Sequence, residues 1–520
     1  MRRELKKDCY RDLEKFWLQE MEKTANLSYR LQILLSARKT FPTDVFIDMV
    51  NNEKFLEALD IFEELNDRHG LAETLDLLGM TNFTGGNLIE GSASYERAIA
   101  LFRELDDRAG LSSALATFGE RASDYVADLM VRPKVTLAQT QREEEEAVQL
   151  ARDIDWRSGE AYALCTLALC LGSAGQYARA LETGEAALSL TQEIEHRQWA
   201  VLAHIVLGGI YADMLAFSAV QLHVEQAVTA AREVGSLTFM RNATAFLALT
   251  YLAQNDLPRA AEVLITLLGE VDPWTALDEA AKGQQPLTMS QRQLWYARAE
   301  LAAAKNDAAL ALHLIDQLAA IARLSLQDGS PTALPRLALL RAEVLLKMKT
   351  SSAGPVAEAL ADLQTAREIA QARGAAPIVC RIHLMLGQLD RVQNRLEEAD
   401  QEFRLARQLI DELALNIPDQ ALHDNFLTQT LALFPPARSI SARQEEKRRF
   451  GGLTERERQV AAFIAQGKSN REIAEALFVG ERTIETHVSN ILSKLGFDAR
   501  TQIAAWVVDK GLTKNERPSK

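Results

Sequence analysis

Long apolar segments are missing from this sequence of 520 residues, and cysteine is scarce. No apolar run approaches the roughly 18 residues that a membrane-spanning helix needs, and the opening MRRELKKDCYRDLEKFW lacks the apolar core of a signal peptide. The sequence therefore predicts a cytoplasmic protein without a membrane partner. Cys9, Cys165, Cys170 and Cys380 are too scattered for a disulfide framework, so we expect reduced, mostly buried thiols and no metal site.

Motifs for catalysis and nucleotide binding are missing as well. The sequence has no GxxxxGK[ST] loop for ATP, no HExxH metal motif and no serine nucleophile elbow, and its eight histidines are scattered. The alternating strands and helices of a phosphoacceptor domain are not seen either. We therefore predict a protein that is not an enzyme, that has no cofactor, and whose control by ATP or phosphorylation is unsupported.

The composition favours helices throughout the chain. Aromatic residues make up only 6% of it and prolines number 13, whereas Ala, Leu, Glu and Arg are abundant. We therefore expect an all-α fold. The run of four glutamates at 143–146 is expected to be a solvated helix start rather than a cation site.

Internal repeats give this helical chain its organisation. Residues 62–79, FEELNDRHGLAETLDLLG, recur as FRELDDRAGLSSALATFG at 102–119, a displacement of 40 residues. The same displacement relates stretches that begin at Asp153, Glu193 and Glu233. Paired helices repeated at this period predict a solenoid. Further repeats are expected at 291–322, 334–347, 356–373 and 378–413, with interruptions at 272–289, 328–335 and 350–355, where Pro, Gly and Ser cluster.

Four short helices are predicted near the C-terminus. Thr454 with Glu457, and Ser469 with Glu472, have the spacing of capping boxes at two helix starts. The first helix should stop at Gly467, and the second, about two turns long, should end in a turn formed by residues 479–480. A third helix is predicted over 481–495, ended by Gly496, and a fourth over 499–510, capped by Asp498.

The predicted third helix is amphipathic. Its apolar positions are Ile484, Val488, Ile491, Leu492 and Leu495. The opposite face is polar and should point outwards. Two short helices joined by a tight turn, the second with such a polar face, form a helix-turn-helix that can enter a major groove of DNA.

These residues resemble a known family. LTERE, GKSNREIAEAL, RTIETHVSNILSKLG and RTQIA, all within residues 453–504, are similar to the LuxR-type (NarL-type) DNA-binding domain. The resemblance implies base contacts by residues of the third helix and phosphate contacts around the helix-turn-helix entry. The implied base-reading residues are Glu485, Thr486 and Ser489, and the implied phosphate-contacting residues are Lys468, Ser469, Asn470, Arg482, Thr483 and Lys494.

Glu485 departs from the lysine or arginine often found at its position in the family. A basic residue reads guanine, whereas a carboxylate can accept a hydrogen bond from the amino group of cytosine. We therefore expect a different sequence preference from that of lysine-bearing relatives. The alternative is a solvated Glu485 that forms an i, i+4 pair on its own helix.

The fourth helix resembles the element through which this family dimerises on two half-sites. Ile503 and Trp506 are the implied dimerisation residues, and the alternative is that both belong to the core. Residues 441–520 carry 15 basic against 11 acidic side chains, whereas the first 440 residues carry 43 against 61. Because the tail is only weakly basic, we expect binding as a homodimer or with help from RNA polymerase.

The repeats resemble a second group of proteins. GQYARALE at 175–182 and NDLPRAAEVL at 255–264 are similar to the helix turn of tetratricopeptide repeats, and the longer unit resembles the superhelical effector domain of large LuxR-type regulators such as the maltose-regulon activator. We therefore expect an all-α protein: a tetratricopeptide-like solenoid at 1–433, a linker at 434–452, a four-helix LuxR-type domain at 453–513 and a tail at 514–520.

Three functions remain open for this arrangement. In the first, which the fusion favours, the repeats sense a small-molecule or protein effector and control a DNA-binding transcriptional regulator that acts on double-stranded promoter DNA. In the second, the chain is an adaptor whose repeats assemble a complex anchored to DNA. In the third, the chain descends from a longer regulator that lost its ATPase part and binds DNA constitutively.

Overall fold

The computed structural model describes residues 52–283, 287–325, 334–348, 353–435 and 450–510. Within these ranges every regular element is a helix, which confirms the all-α fold class. The chain divides into two compact units, with the division between Phe434 and Pro435. No helix in the described ranges is long and apolar enough to cross a membrane.

The N-terminal unit consists of nineteen described α-helices joined mostly by short turns. They are α1 (Asn52–Leu65), α2 (Arg68–Thr84), α3 (Leu88–Glu104), α4 (Arg108–Gly119), α5 (Leu137–Asp153), α6 (Arg157–Ser173), α7 (Tyr177–Glu193), α8 (Arg197–Asp213), α9 (Phe217–Val234), α10 (Leu237–Ala253), α11 (Leu257–Leu268), α12 (Asp278–Ala281), α13 (Met289–Ala304), α14 (Ala308–Arg323), α15 (Pro335–Lys347), α16 (Ala353–Arg373), α17 (Ala376–Val392), α18 (Leu396–Ala414) and α19 (Gln420–Ala432).

The 40-residue period is visible in the helix starts. Helix α2 begins at Arg68 and α4 at Arg108, and α6, α8 and α10 likewise begin 40 residues apart. The turns before α2 and α4 are built alike: Asp67 and Asp107 each accept a hydrogen bond from the backbone N–H three residues on, at 3.0 and 2.9 Å. Such side-chain caps satisfy donors that the helix itself leaves unpaired. The predicted solenoid of paired helices is thus confirmed.

The later repeats pack back onto the middle of the solenoid. The backbone N–H of Ala178, in the first turn of α7, donates to the carbonyl of Asn416 at 2.8 Å. The side-chain amide of Asn425 donates to the carbonyl of Leu215 at 3.1 Å. These contacts join residues more than 200 positions apart, so the superhelix closes on itself and encloses an interior.

An insertion that the sequence reasoning missed breaks the repeat. Residues 120–136 separate α4 from α5, so that α6 begins at Arg157, nine residues later than the 40-residue period predicts. The insertion starts with one 3₁₀ turn (Glu120–Ala122) and continues as irregular chain. Tyr125 and Asp128 within it are buried. Irregular chain carries no periodicity, so no pattern marked it as part of the interior.

The expectation for the glutamates at 143–146 is wrong. They lie in the middle of α5, whose N-cap is Thr136, and Glu144 is completely buried. Four consecutive residues of a helix sweep around its whole circumference, so one of them had to face the core. Thr166 donates its hydroxyl hydrogen to Glu144, and burial raises the pKa of this carboxyl well above its usual value.

Three of the four cysteines and parts of the predicted interruptions lie within the described residues. Cys165, Cys170 and Cys380 are free and buried, as expected, and burial raises the pKa of the Cys380 thiol to about 12. Cys9 lies outside the described residues, as do residues 328–333 and 350–352 of two predicted interruptions, whose remaining residues lead into α15 and α16. The interruption at 272–289 contains the single-turn helix α12.

Glu120 makes the stability of the N-terminal unit depend on pH. Burial raises the pKa of its carboxyl to about 7, and Tyr162 donates a hydrogen bond to it at 3.1 Å. Because the ordinary value is 4.5, the contribution of Glu120 to stability is complete below that pH and is lost as the pH rises through 7. We expect Glu120→Gln, which stays neutral, to stabilise the protein by up to about 3 kcal/mol at pH 8 and hardly at all at pH 4.5.

Urea unfolding of both proteins at the two pH values measures this difference. Glu182→Gln, on the exposed face of α7, serves as the control and should change stability by less than about 0.5 kcal/mol at either pH. An equal effect of Glu120→Gln at both pH values would contradict the assignment.

Candidate nucleic-acid interface

The C-terminal unit contains four described helices around one small core. They are α20 (Glu455–Ala465), α21 (Asn470–Leu477), α22 (Glu481–Leu495) and α23 (Arg500–Asp509). The core side chains that are less than 5% exposed are Leu453, Val460, Ala461, Ile464, Ile473, Ile484, Ile491, Ile503 and Val507. The predicted bounds of α22 agree with the structure, and Gly496 ends this helix in the left-handed conformation at φ 68°.

Both predicted capping boxes are present. The backbone N–H of Thr454 donates to Glu457 Oε2 at 2.7 Å, and the N–H of Glu457 donates back to Thr454 Oγ1 at 3.3 Å. Ser469 and Glu472 form the same pair of bonds, also at 2.7 and 3.3 Å. The hydrogen bond from the backbone N–H of Ser469 lowers the pKa of the Glu472 carboxyl. These boxes set the points at which α20 and α21 begin.

Ser469→Ala is expected to destabilise the C-terminal unit by about 0.5 to 2 kcal/mol, because it removes the acceptor for an otherwise unpaired N–H of α21. Thermal melting of residues 435–520 measures the loss. Ser493→Ala is the matched control, since Ser493 lies exposed within α22 and caps nothing. Unchanged melting of the Ser469 variant would contradict the role of this box.

Glu457 also ties the third helix to the first. Lys494 Nζ, on α22, lies 2.6 and 2.7 Å from the two carboxylate oxygens of Glu457, which is only 3% exposed. Burial opposes ionisation, yet the hydrogen bonds from Lys494 and Thr454 lower the pKa of the Glu457 carboxyl. One carboxylate therefore caps α20 and holds α22 against it. The sequence reasoning considered Lys494 only as a phosphate contact.

The turn between α21 and α22 begins one residue earlier than predicted. Phe478 adopts the left-handed conformation at φ 55°, and Val479 and Gly480 then lead into α22. Arg456 Nη2, on α20, donates to the carbonyl of Leu477 at 2.8 Å. This bond supplies a donor for a carbonyl group in the last turn of α21. The Phe478 side chain is 96% exposed. Its conformation could not be predicted from sequence because non-glycine residues seldom adopt it.

The polar face of α22 is exposed as predicted. Arg482, Thr483, Glu485, Thr486 and Ser489 all point to solvent, while Ile484 and Ile491 are completely buried. The Thr486 hydroxyl donates to the carbonyl of Arg482 at 3.0 Å. The i, i+4 pair considered for Glu485 has no basic partner, because the positions four residues away on either side are Glu481 and Ser489.

The entry to α21 is organised by a residue that the sequence reasoning did not single out. Arg500, the first residue of α23, donates to Asn470 Oδ1 at 2.6 Å and to the carbonyl of Lys468 at 2.7 Å. The Lys468 ammonium lies 4.4 Å from the centre of the Phe463 ring. Ser469 is exposed and Lys468 and Asn470 are half-buried. The first turn of α21 is therefore held in place against α23.

The predicted cap of the fourth helix is wrong. Helix α23 begins at Arg500, and Gln502 reaches back with its side-chain oxygen to accept from the backbone N–H groups of Asp498 and Ala499, at 2.8 and 2.9 Å. The N-cap residue is thus Ala499, which has no side-chain acceptor of its own. Asp498 lies one residue before this N-cap position.

The two residues expected at a dimer contact lie in different environments. Ile503 is completely buried in the core of the C-terminal unit, which favours the alternative that this residue is a core residue. Trp506 is half-buried against the same core, whereas Val508 is 64% exposed. On this helix, Trp506 and Val508 therefore keep apolar surface that solvent can reach.

Comparison with known proteins identifies this fold. The family described as bacterial regulatory proteins, luxR family, matches residues 452–507. Residues 452–507 form a LuxR-type helix-turn-helix domain. The matched region spans α20 to α22 and most of α23, so the family's match and the compact fold coincide.

Curated relatives match this chain over short stretches. An uncharacterized transcriptional regulatory protein, YhcZ of Bacillus subtilis, is 52% identical over 67 residues, which are 13% of this chain and 31% of the relative. The transcriptional regulatory protein LiaR of Bacillus subtilis is 50% identical over 54 residues, 10% of this chain and 26% of the relative. The response regulator protein VraR of Staphylococcus aureus is 40% identical over 84 residues, 16% and 40% respectively. The chain thus spans less than half the length of each.

Solved structures align with the larger part of the chain. A Rap protein complexed with competence and sporulation factor aligns with a TM-score of 0.49 and 11% identity over 75% of this chain and 99% of that one. The Rap conjugation gene regulator of plasmid pLS20 in complex with the Phr* peptide aligns with a TM-score of 0.43 and 14% identity over 79% and 98%. The N-terminal unit itself is a tetratricopeptide-like solenoid, as its paired helices show.

Proposed function

We propose that this chain is a sequence-specific DNA-binding transcriptional regulator whose α22 enters the major groove. The observation that carries the proposal is the exposed polar face of α22, a helix that follows the capped start of α21 and that Lys494 and Glu457 hold against α20. A side chain that reads bases has to be exposed while its helix is held rigidly, and this face meets both conditions.

The roles of the individual residues follow from their positions. Glu485, Thr486 and Ser489 would contact bases, with Glu485 accepting from the amino group of cytosine. Phosphates would be bound by residues around the start of α21 and α22: Lys468, Ser469, Asn470, Arg482 and Thr483. Lys494 can reach a phosphate only by leaving Glu457, so its larger role in this proposal is to position α22.

The N-terminal unit would supply control. In this proposal the solenoid binds a small-molecule or protein effector, and the occupied state changes how the LuxR-type domain acts as a homodimer at a promoter, together with RNA polymerase. The charge division supports it, because the acidic first 440 residues would be repelled by DNA and the mildly basic remainder attracted.

Selection of bound sites from random double-stranded DNA by the full chain tests the DNA-binding half. We expect one enriched sequence, and a changed preference at one or two base pairs for Glu485→Lys, because a basic side chain would favour guanine where the carboxylate favours cytosine. No enriched sequence would contradict specific binding. An unchanged sequence preference in the Glu485 variant would mean that Glu485 does not contact the bases.

Thermal shift and pull-down experiments on residues 1–440 separate the sensor from the adaptor. Stabilisation of this fragment by a metabolite would favour the effector sensor. Recovery of protein partners alone, with no stabilising metabolite, would favour the adaptor.

A further inference from the structure

The interior of the solenoid is filled by the chain's own insertion, residues 120–136, and the contacts are those of charged groups. Asp124 Oδ1 accepts from Arg373 Nη1 at 3.0 Å, and Arg373 belongs to α16, 249 positions further on. It also accepts from Arg132 Nη1, within the insertion, at 2.7 Å. Asp128 pairs with Arg336, at the start of α15, and its Oδ1 accepts from Gln293 Nε2 at 2.8 Å.

Arginine side chains lie where these two carboxylates contact the surrounding helices, which form the wall of the interior. The Arg373 side chain is only 6% exposed, and its buried Nε has no hydrogen-bond partner among the described residues. The Arg336 guanidinium lies 4.2 Å from the centre of the Tyr296 ring, which holds it in place. The Arg336 side chain is 16% exposed, and guanidinium groups with so little access to water are costly unless each faces an acceptor.

A slot for an aromatic ring lies beside these two carboxylate sites. The Tyr125 hydroxyl donates to Asp213 Oδ2 at 2.7 Å. The ring packs against two glycines: a methyl group on Gly172 would come within 2.6 Å of the Tyr125 oxygen, and one on Gly209 within 2.8 Å of its ring. Only glycine leaves room for this ring at the two positions. The wall therefore has a place for each of three side chains of the insertion.

Residues 123–135 occupy these places as irregular chain with no regular helix. They contact α6, α8, α13, α15 and α16 through side chains, as a bound peptide would. We propose that the solenoid interior is a binding site for an acidic peptide segment of the type Asp-Tyr-x-x-Asp, and that residues 123–132 occupy it as a built-in ligand in a series of turns. This inference deepens the effector-sensing half of the proposed function.

The number of places in the site argues for a peptide rather than a small dicarboxylate. Asp124 and Asp128 stand four positions apart within a stretch of turns and bends, each pairs with its own arginine, and the tyrosine slot is filled by the residue next to Asp124. A small dicarboxylate has no ring to fill the slot. A peptide of this pattern can do so.

A ligand added in solution has to compete with the built-in segment. Tethering keeps the segment at an effective concentration in the millimolar range or above. Wild-type protein should therefore bind a free peptide weakly, and loss of the two carboxylates should open the site. The probe is a fluorescein-labelled peptide of residues 120–133, ERASDYVADLMVRP, and the protein is the full chain with Asp124→Asn and Asp128→Asn.

We expect fluorescence anisotropy to show at least tenfold tighter binding of this peptide by the double variant than by wild type. Arg373→Gln in the double variant, or asparagine at both aspartate positions of the peptide, should weaken binding at least tenfold. A scrambled peptide of the same composition is the control. Circular dichroism establishes that each variant keeps the helix content of wild type.

A second measurement on wild type covers the case of a misfolded variant. Excess peptide should increase hydrogen exchange at the amides of residues 123–132 and leave α22 unchanged. Absence of both peptide binding and increased exchange would overturn the proposal. The insertion would then be a fixed structural part of the solenoid. Equal displacement of the peptide by millimolar glutarate would also overturn it, in favour of a small-anion site. Neither readout uses DNA, so failure here leaves the DNA-binding proposal to its own test.

Discussion

Glu457→Ala is expected to lower the stability of the C-terminal unit by about 2 to 3 kcal/mol. The change removes the acceptor for the backbone N–H of Thr454, one of the two hydrogen bonds of the capping box of α20, which contributes about 1 kcal/mol. It also removes the buried partner of Lys494, whose own side chain is 37% exposed and can regain water. The second loss is therefore smaller than the about 3 to 5 kcal/mol that breaking a fully buried pair costs.

Such a loss is large for a unit of this size. A domain of about 60 residues is stable by only about 3 to 9 kcal/mol, and each kcal/mol lowers its melting temperature by about 4 to 8 °C. Thermal melting of residues 435–520 should thus show a fall of about 10 to 20 °C. The pKa of Glu457 is lowered in the folded unit, so its contribution is present at neutral pH and is lost as the pH falls through the acid range.

Two further variants divide the effect between the cap and the ion pair. Lys494→Met removes the ion pair and keeps the capping box, whereas Ser469→Ala removes the exposed capping box and keeps the ion pair. If Glu457→Ala destabilised no more than Ser469→Ala, the buried pair would contribute nothing and its proposed part in holding α22 would be wrong.

Arg482→Ala is expected to weaken binding to every DNA sequence by about 10- to 100-fold for a dimer, because one phosphate contact is lost in each of two domains. Neutralising a phosphate releases about 0.9 of a counterion, so the slope of log affinity against log salt concentration should fall by about 1 for each lost contact. Titrations of a selected site and of an unrelated duplex at several salt concentrations measure both quantities.

Thr486→Ala supplies the contrast for this experiment. Thr486 lies on the same exposed face of α22 and is uncharged, so its loss should change the preferred sequence and leave the salt slope almost as it was. An unaltered slope in Arg482→Ala would mean that the start of α22 does not approach the phosphates, and the placement of this helix in the groove would be wrong.

The C-terminal helices could be predicted because their signals are local. A capping box needs only residues three apart, and the apolar positions of α22 repeat within one helix, so the prediction depended on no distant contact. The one wrong cap shows the limit of this reasoning. Asp498 was predicted as the N-cap, whereas in the folded unit Ala499 holds that position and Gln502 accepts from the N–H groups of Asp498 and Ala499.

The interior of the N-terminal unit could not be predicted in this way. Asp124, Asp128 and Tyr125 meet partners that lie 88 to 249 positions further along the chain. No spacing in the sequence links residues so far apart. The burial of Glu144 could not be predicted for the same reason. A run of glutamates favours a solvated helix face, and only the packing of α5 against Thr166 buries one of them.

The sequence by itself determined the helical class, the 40-residue repeat, the LuxR-type helices and the residues exposed on α22, because helix starts and helix faces depend on residues within four positions of one another. The tertiary structure alone decided that the superhelix closes, that residues 120–136 fill its interior, that Glu457 joins α20 to α22 and that Ile503 belongs to the core. These features depend on which distant surfaces meet, and a buried charge is stabilised only where its partner is brought to it.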